Sequence, residues 1–252
     1  MKRAGIGSKE TMQKAKQLKM DMFQNAVVAV ASSLLCRIIG LTILCIILGI
    51  QFDIKLALIV PIAAIAANYK FLIFEILLFD HGIEHALGYF EWYSCVDDNL
   101  YLGAIPLQQS FPHQLGIQAV MSILQPFEFN TATIVGTPVT PDHWRRIGVE
   151  HMTVESPDFY PPSFDSLNKG ADFLNQNLSE GRKTYCHCKS GRGRSASIVM
   201  AYFMRYKKLD AISAFSKLKL KRSIIFDKNS SQMRNMIAYE EYLASQRSLA
   251  GL

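Results

Sequence analysis

The chain has 252 residues, half of them apolar and 19% charged, which excludes a disordered or low-complexity polypeptide. It carries 27 Lys+Arg against 21 Asp+Glu, and its five cysteines do not form a disulfide framework in a chain of this length, so a reducing compartment is expected. The length suits one catalytic domain with an appendage, or two small domains, and a mean hydropathy of +0.12 is high for a soluble domain and points to lipid contact.

Charge is unevenly distributed. Residues 1–25 hold six Lys/Arg and two acids, and residues 26–80 hold three of each. Residues 81–181 then carry twelve acids and three bases, whereas residues 182–234 carry fourteen bases and two acids. Such a basic block implies either an anionic partner or a solvated face complementing the acidic half before it.

Three regions follow in chain order: a basic segment 1–25, a helical hairpin 26–80 and a catalytic domain 81–252. Between Met22 and Phe52 the only charge is Arg37, and between Leu56 and Phe79 the only charges are Lys70 and Glu75. Each stretch exceeds the roughly 20 residues needed to cross a bilayer. Two transmembrane helices are expected, near 26–50 and 56–77, joined by the tight turn Asp53–Lys55. Arg37 would snorkel, pair with Glu75, or lie near the interface, and Pro61 would kink the second span. The Lys-rich N-terminus should remain on the cytoplasmic side, or its matrix equivalent, and two crossings return the chain to that side. The expectation is a multi-pass integral membrane protein with its catalytic domain there.

Beyond residue 82, strand and helix signals alternate. Strands are expected at Asn99–Ile105, Ala119–Leu124, Glu150–Val154 and Thr184–Cys188. Helices are expected at Pro141–Ile147, Ser163–Asn177, Ser195–Arg205, Ala211–Leu220 and Gln232–Ala244. This alternation predicts an α/β fold with a mostly parallel sheet flanked by helices.

The sharpest signal is Tyr185–Ala196, in which a strand ends at Cys188, a loop of five residues follows, and Arg194-Ser195 opens a helix. The inward N–H groups of such a loop form an anion nest, and the helix start adds its positive dipole end. Arg194 can grip two phosphate oxygens, and the same positive field favours the Cys188 thiolate. Gly191 and Gly193 are expected to permit loop conformations that a Cβ would hinder.

Cys-x5-Arg-Ser is the signature of the cysteine-dependent protein-tyrosine phosphatase superfamily. Trp92-Tyr93, Leu102–Leu107, Gly116–Val120, Trp144–Glu150 and His187–Ser195, in this order, resemble its mitochondrial-type, phosphatidylglycerophosphate phosphatase branch. The resemblance covers roughly residues 90–245. It implies that Cys188 is the nucleophile, that Arg194 and the backbone of Lys189, Ser190, Gly191, Arg192, Gly193 and Arg194 bind the phosphoryl group, and that Ser195 eases the departure of the sulfur. His187 is expected to order the loop, or to be a satisfied core histidine. Lys189 and Arg192 are expected to face outward as rim cations favouring a highly anionic substrate. The branch's Arg-Pro pair after the next helix is replaced by Phe226-Asp227-Lys228-Asn229, which leaves the second phosphate contact open.

The resemblance also implies an aspartate acid on a separate loop. Asp158, 30 residues before Cys188, is the choice; Glu155 competes, and Asp165 sits where a helix-start acid belongs. No cofactor or metal is expected. Cys186 and Cys188 lack a matching His/Cys cluster, and His81 and His85 beside Glu84 suit a membrane-proximal helix better than a metal site. The run Lys217–Arg222 is expected to touch anionic lipid rather than nucleic acid.

The expected function is phosphomonoester hydrolysis on a phospholipid headgroup, phosphatidylglycerophosphate or a phosphoinositide. The alternatives are a membrane-tethered dual-specificity protein phosphatase acting on phosphoproteins, and a phosphate-binding module without turnover. The sequence says nothing about oligomeric state.

Overall fold

The computed structural model describes residues 33–51, 54–108 and 115–249, which fall into two compact units. The first comprises the chain up to Asp80 together with Thr131–Thr137. It contains helix α1 (Leu34–Gln51) and most of helix α2 (Ile54–Ala86). The expected spans correspond to these helices, but residues 26–32 of the first expected span lie outside the described residues. Among the described residues, one segment, Ile62–Ala86, is long and apolar enough to cross a membrane.

Helix α2 runs further than the sequence suggested and passes through Pro61 without a break. Its non-helical backbone falls at Asn68 instead (φ −120°, ψ 15°). There the Asn68 side chain donates to the Ala64 carbonyl at 2.9 Å, offering the backbone acceptor a substitute donor and allowing the bend. The helix stops where Gly88 adopts a positive φ of 76°. Gly88 N–H donates to His85 O at 2.9 Å and Tyr89 N–H to Glu84 O at 3.0 Å, a paired C-terminal cap that glycine makes possible. Glu75 is fully buried and accepts from Ser33 Oγ and from the Ile134 N–H, so the 131–137 turn packs with this first unit. Arg37 is exposed. Ile39, Ile43, Leu44, Ile47, Ile62, Ile65, Ile73 and Ile76 are all exposed as well, an apolar surface far beyond what a water-facing helix pair carries.

The second unit, His81–Asn130 and Pro138 onward, is built on a five-stranded sheet in the order β1-β2-β5-β3-β4. The strands are β1 (Tyr93–Asp97), β2 (Leu100–Gly103), β3 (Ala119–Ile123), β4 (Glu150–Val154) and β5 (Thr184–His187). Strands β2, β5, β3 and β4 are parallel, and β1 joins the edge antiparallel. The sequence reading missed β1. It is the first arm of a hairpin whose two-residue turn, Asp98-Asn99, needs Asn99 at φ 56°, a conformation asparagine tolerates. Also missed was the five-residue helix α3 (Pro126–Asn130), too short to show a period. The remaining helices fall where expected: α4 (Pro141–Arg146), α5 (Phe164–Ser179), α6 (Arg194–Tyr206), α7 (Ala211–Lys221) and α8 (Ser231–Leu249).

One sheet face meets the long helices. Leu100, Leu102, Met121, Ile123 and Cys186 pack with Leu167, Leu174, Ile198, Phe203, Leu218 and Met236 in the main core. Strand alternation sends Val120 and Tyr185 to the opposite face, where they pack with Trp144 of α4. Strand β5 therefore lies centrally, covered on both faces, and its C-terminal end opens into the loop before α6, the position where parallel α/β sheets place their sites.

Candidate active site

The 188–193 loop is shaped from outside. The carbonyl of Lys189 accepts from Ile105 N–H at 3.0 Å, and that of Arg192 from Phe226 N–H at 3.0 Å. Between them, Arg222 takes both remaining carbonyls: its Nη2 donates to Ser190 O at 3.1 Å and its Nε to Gly191 O at 3.0 Å. Four successive carbonyls are thus held by outside donors. Among the described residues no protein acceptor takes the N–H groups of residues 189–193. A loop with its carbonyls tethered and its amides unspent is an anion nest. Arg222 is 2% exposed and also donates to Glu91 O and Ser94 Oγ, fastening the loop to the segment that enters β1. The sequence reading had grouped it with a lipid-facing basic run. In fact Lys217 pairs with Asp97 and Lys219 donates to the Ile225 carbonyl, so most of that run is used internally.

Gly191 is indispensable to this shape. Its φ is +68°, and an added Cβ would lie 2.4 Å from the Gly103 backbone. Gly193 does not share the expected constraint: its φ is −113°, and a Cβ there would meet nothing nearer than 3.5 Å.

Cys188 lies at the floor of the loop, 2% exposed, with Ser195 Oγ donating to its Sγ at 3.2 Å. Burial raises its pKa, but the Arg194 guanidinium and hydrogen bonds from the Ser195 hydroxyl and N–H outweigh burial and bring it below the ordinary thiol value. Cys186, two residues earlier, has no such support; burial, followed by the nearby Cys188 charge, pushes its thiol well up. The positive field therefore singles out one of two neighbouring thiols.

Arg194 is 1% exposed and is fixed by a residue that sequence reasoning did not select. Glu128 of α3 accepts both guanidinium ends, Nη1 at 2.7 Å and Nη2 at 2.9 Å, and is itself 1% exposed. Arg194 Nη1 also donates to Ser156 O at 3.0 Å. Burial disfavours the cation, but Glu128, Cys188 and Asp158 together hold its pKa raised. A lone acid in the otherwise apolar run directly after β3 was the one sequence signal for Glu128.

His187 is fully buried on β5. Its Nδ1–H donates to Cys188 O at 3.2 Å, which leaves Nε2 to accept from Ser122 Oγ at 2.7 Å. Ser122 Oγ in turn accepts from His151 Nε2 at 2.9 Å. Burial drives both imidazoles to the neutral form, with pKa values down to about 3 for His187 and about 4 for His151. His187 is thus a fully buried histidine with both ring nitrogens hydrogen-bonded, one of them to the Cys188 carbonyl.

Asp158 follows β4 on the loop closed by the Ser163 cap of α5. Its Oδ1 is 3.0 Å from Arg194 Nη2, and its Oδ2 pairs with Lys189 Nζ. Burial raises its pKa, but Arg194 and Lys189 overcome this and hold it lowered. Helix α8 steadies the loop: Gln232 Nε2 donates to Phe159 O at 3.3 Å and Asn235 Nδ2 to Pro162 O at 3.0 Å. The competitors stand elsewhere. Asp165 is an exposed first-turn acid paired with Lys169 at 2.7 Å, and Glu155 is exposed beside β4.

Of the two cations expected to face outward, Lys189 turns inward and Arg192 is half-exposed. Lys189 is 6% exposed, paired with Asp158 and lying 5.0 Å from the Phe159 ring centroid. Arg192 pairs with Glu84 of α2 and lies over the Phe90 ring at 4.9 Å. Ion pairing accounts for both, since each cation has an acid within reach. Among the described residues no cluster of His, Cys, Asp and Glu could hold a metal ion.

A cysteine with a lowered thiol pKa at the floor of an amide nest, beneath an immobilised arginine, suits displacement at phosphorus, and the protein is a cysteine-dependent phosphatase. The chain belongs to the dual specificity phosphatase catalytic-domain family, whose pattern matches residues 100–242, and within it to the mitochondrial type. It is 28% identical over 160 residues to the phosphatidylglycerophosphate phosphatase PTPMT2 of Arabidopsis thaliana, covering 62% of this chain and 67% of that one. It is 32% identical over 137 residues to the phosphatidylglycerophosphatase and protein-tyrosine phosphatase 1 of Homo sapiens, covering 51% and 65%. The chain thus spans about two thirds of the length of these two relatives. The crystal structure of PTPMT1 superposes with a TM-score of 0.54 at 25% identity, covering 62% of this chain and 99% of that one. A second crystal structure, PTPMT1 in complex with PI(5)P, shares the fold with a TM-score of 0.55 at 24% identity and the same coverage.

Proposed function

We propose that the protein removes a phosphomonoester from a phospholipid headgroup at a membrane surface, phosphatidylglycerophosphate before a phosphoinositide. The observation that carries this reading is the pairing of the Cys188–Arg194 cradle with an exposed apolar helix in one chain. The names of the similar proteins favour the same substrate. Helix α1 and residues 56–77 of α2 would lie in the bilayer as a hairpin, with the catalytic unit on the side of the basic N-terminus. Phe159 and Tyr160, 66% and 67% exposed beside the acid, would meet the headgroup layer. Confinement of enzyme and lipid to one surface raises the effective substrate concentration.

In this reading Cys188 Sγ attacks phosphorus, the P–O bond to the headgroup alcohol breaks, and Asp158 gives its proton to the departing oxygen. Water then attacks the phosphocysteine, its proton returns to Asp158, and Ser195 donates to the leaving thiolate. Asp158 must hold a proton to serve. In the free enzyme Arg194 and Lys189 keep it ionised. A bound phosphate dianion draws both cations onto itself and adds negative charge, each of which raises the pKa of Asp158. The acid is therefore armed by its substrate.

Two measurements follow. Asp158→Asn lowers kcat by about 10²–10³, in the range of general acid loss. It also removes the alkaline limb of the pH–kcat profile, because that limb reports loss of the proton it no longer carries; the acid limb, set by formation of the Cys188 thiolate, persists. An alkaline limb unchanged in the variant would remove Asp158 from this role. The substrate class is tested by comparing turnover of phospholipid phosphomonoesters in vesicles with that of phosphotyrosine and phosphothreonine peptides. Higher kcat/KM on the lipids is expected, and a preference for peptides by orders of magnitude would replace this function with protein dephosphorylation.

A further inference from the structure

Three cations ride on the phosphate loop, and the structure treats them differently. Arg194 and Lys189 are buried, at 1% and 8% side-chain exposure, and are tied to Glu128 and Asp158 within the reacting centre. Arg192 is 38% exposed, and its partner Glu84, 33% exposed, comes from the last turn of α2. Its guanidinium nevertheless has a second contact, with Cζ over the Phe90 ring 4.9 Å from the centroid. Phe90 is backed on its own account by the His81 ring, stacked at 4.6 Å, and its carbonyl meets His85 Nδ1 at 2.9 Å. The Arg192 Nε is buried and makes no hydrogen bond among the described residues.

An arginine with one edge spent on a half-exposed carboxylate and another donor unspent is prepared for exchange rather than for permanent pairing. Ion pairs with this much solvent access contribute little, so a better anion can displace the carboxylate. A phosphate group is that anion, since it offers two oxygens to the planar fork. It cannot be the group undergoing transfer, because the loop amides and Arg194 already surround the position above Cys188. It is a second phosphate carried by the same substrate.

We infer that Glu84 occupies, in the free enzyme, the place of a second phosphate on the leaving-alcohol side of the substrate, and that Arg192 is the residue that reads this phosphate. This rests on the phosphatase reading above and goes beyond it by assigning substrate choice to one exchangeable ion pair. The loop carries the contact itself, although the Arg-Pro pair expected after α7 is missing. The second phosphate is supplied equally by the phosphodiester of a lipid such as phosphatidylglycerophosphate and by a soluble bisphosphate.

The test compares substrates with one and two phosphates in both settings: phosphatidic acid against phosphatidylglycerophosphate in neutral-lipid vesicles, and glycerol phosphate against glycerol bisphosphate in solution. Glu84→Gln removes the internal competitor, and KM for the two-phosphate substrates should fall about three- to tenfold, with less than twofold change for the others. Arg192→Gln should lower kcat/KM for two-phosphate substrates about tenfold more than for one-phosphate substrates, with partial recovery in Arg192→Lys. Thermal melting of each variant reports folding separately. The assignment is overturned if Glu84→Gln raises KM for two-phosphate substrates, or if Arg192→Gln affects both classes equally, since either result makes the pair a brace for the loop. If neither lipid is hydrolysed while the two soluble substrates respond as described, the lipid reading fails and the assignment of Arg192 stands.

Discussion

Replacing Cys188 with serine is expected to abolish hydrolysis of an aryl phosphate, a loss on the order of 10⁵–10⁶ in kcat, comparable to removal of other enzymatic nucleophiles. The argument is electrostatic. The site stabilises an anion at this sulfur, through the Arg194 cation and the two hydrogen bonds from Ser195. A serine hydroxyl starts several units further from ionisation than a thiol, and the same field cannot close that gap. The phosphate cradle itself does not depend on the sulfur, because its carbonyl tethers are to Ile105, Arg222 and Phe226. Inorganic phosphate should therefore still bind to the variant, as titration calorimetry would show. Cys186→Ser serves as the contrast: that thiol stays protonated, pointing to the Ser195 carbonyl at 3.7 Å, and turnover should remain within about threefold. Residual turnover of Cys188→Ser at more than one per cent would show that another group attacks phosphorus.

Glu128→Ala is expected to be the most damaging change outside the loop. It removes both carboxylate oxygens from Arg194 and leaves a guanidinium at 1% exposure with Cys188 and Asp158 as its remaining negative neighbours. Breaking a buried pair by deleting one partner costs about 3–5 kcal/mol. Here the cost falls twice. Stability drops, read as a shifted denaturation midpoint, and Arg194 is free to collapse onto Asp158, so kcat drops at a temperature where the protein is still folded. Glu128→Gln keeps one acceptor and should recover part of both losses. A stable variant with unchanged kcat would mean that Arg194 needs no brace.

These two residues mark the boundary of what the sequence discloses. Cys188, Arg194 and Ser195 are legible because a strand, a five-residue loop and a helix start are contiguous, and a short spacing fixes their relative positions. Asp158 is legible only by resemblance, through its distance from the cysteine. Glu128 lies 66 residues from its partner Arg194, Arg222 lies 31 residues from Gly191, and Glu84 lies 108 residues from Arg192. No spacing rule connects such positions; the parallel arrangement of β3 and β5 brings the first pair together. The misreadings share this cause. Along the chain Lys189 and Arg192 read as outward-facing rim cations and Lys217–Arg222 as a lipid-facing run, yet Lys189, Arg192, Lys217 and Arg222 each have an acid or a carbonyl on a remote element.

The sequence by itself determined the α/β architecture, the strand–loop–helix motif that carries Cys188, Arg194 and Ser195, and the apolar helices, because each depends on local periodicity or on a contiguous motif. The tertiary structure alone decided which charges are spent on one another, that Gly191 rather than Gly193 is conformationally required, and which acids hold Arg192 and Arg194. A buried charge is stable only when folding delivers its partner, and the sheet order and the chain reversals that deliver it are properties of the whole fold.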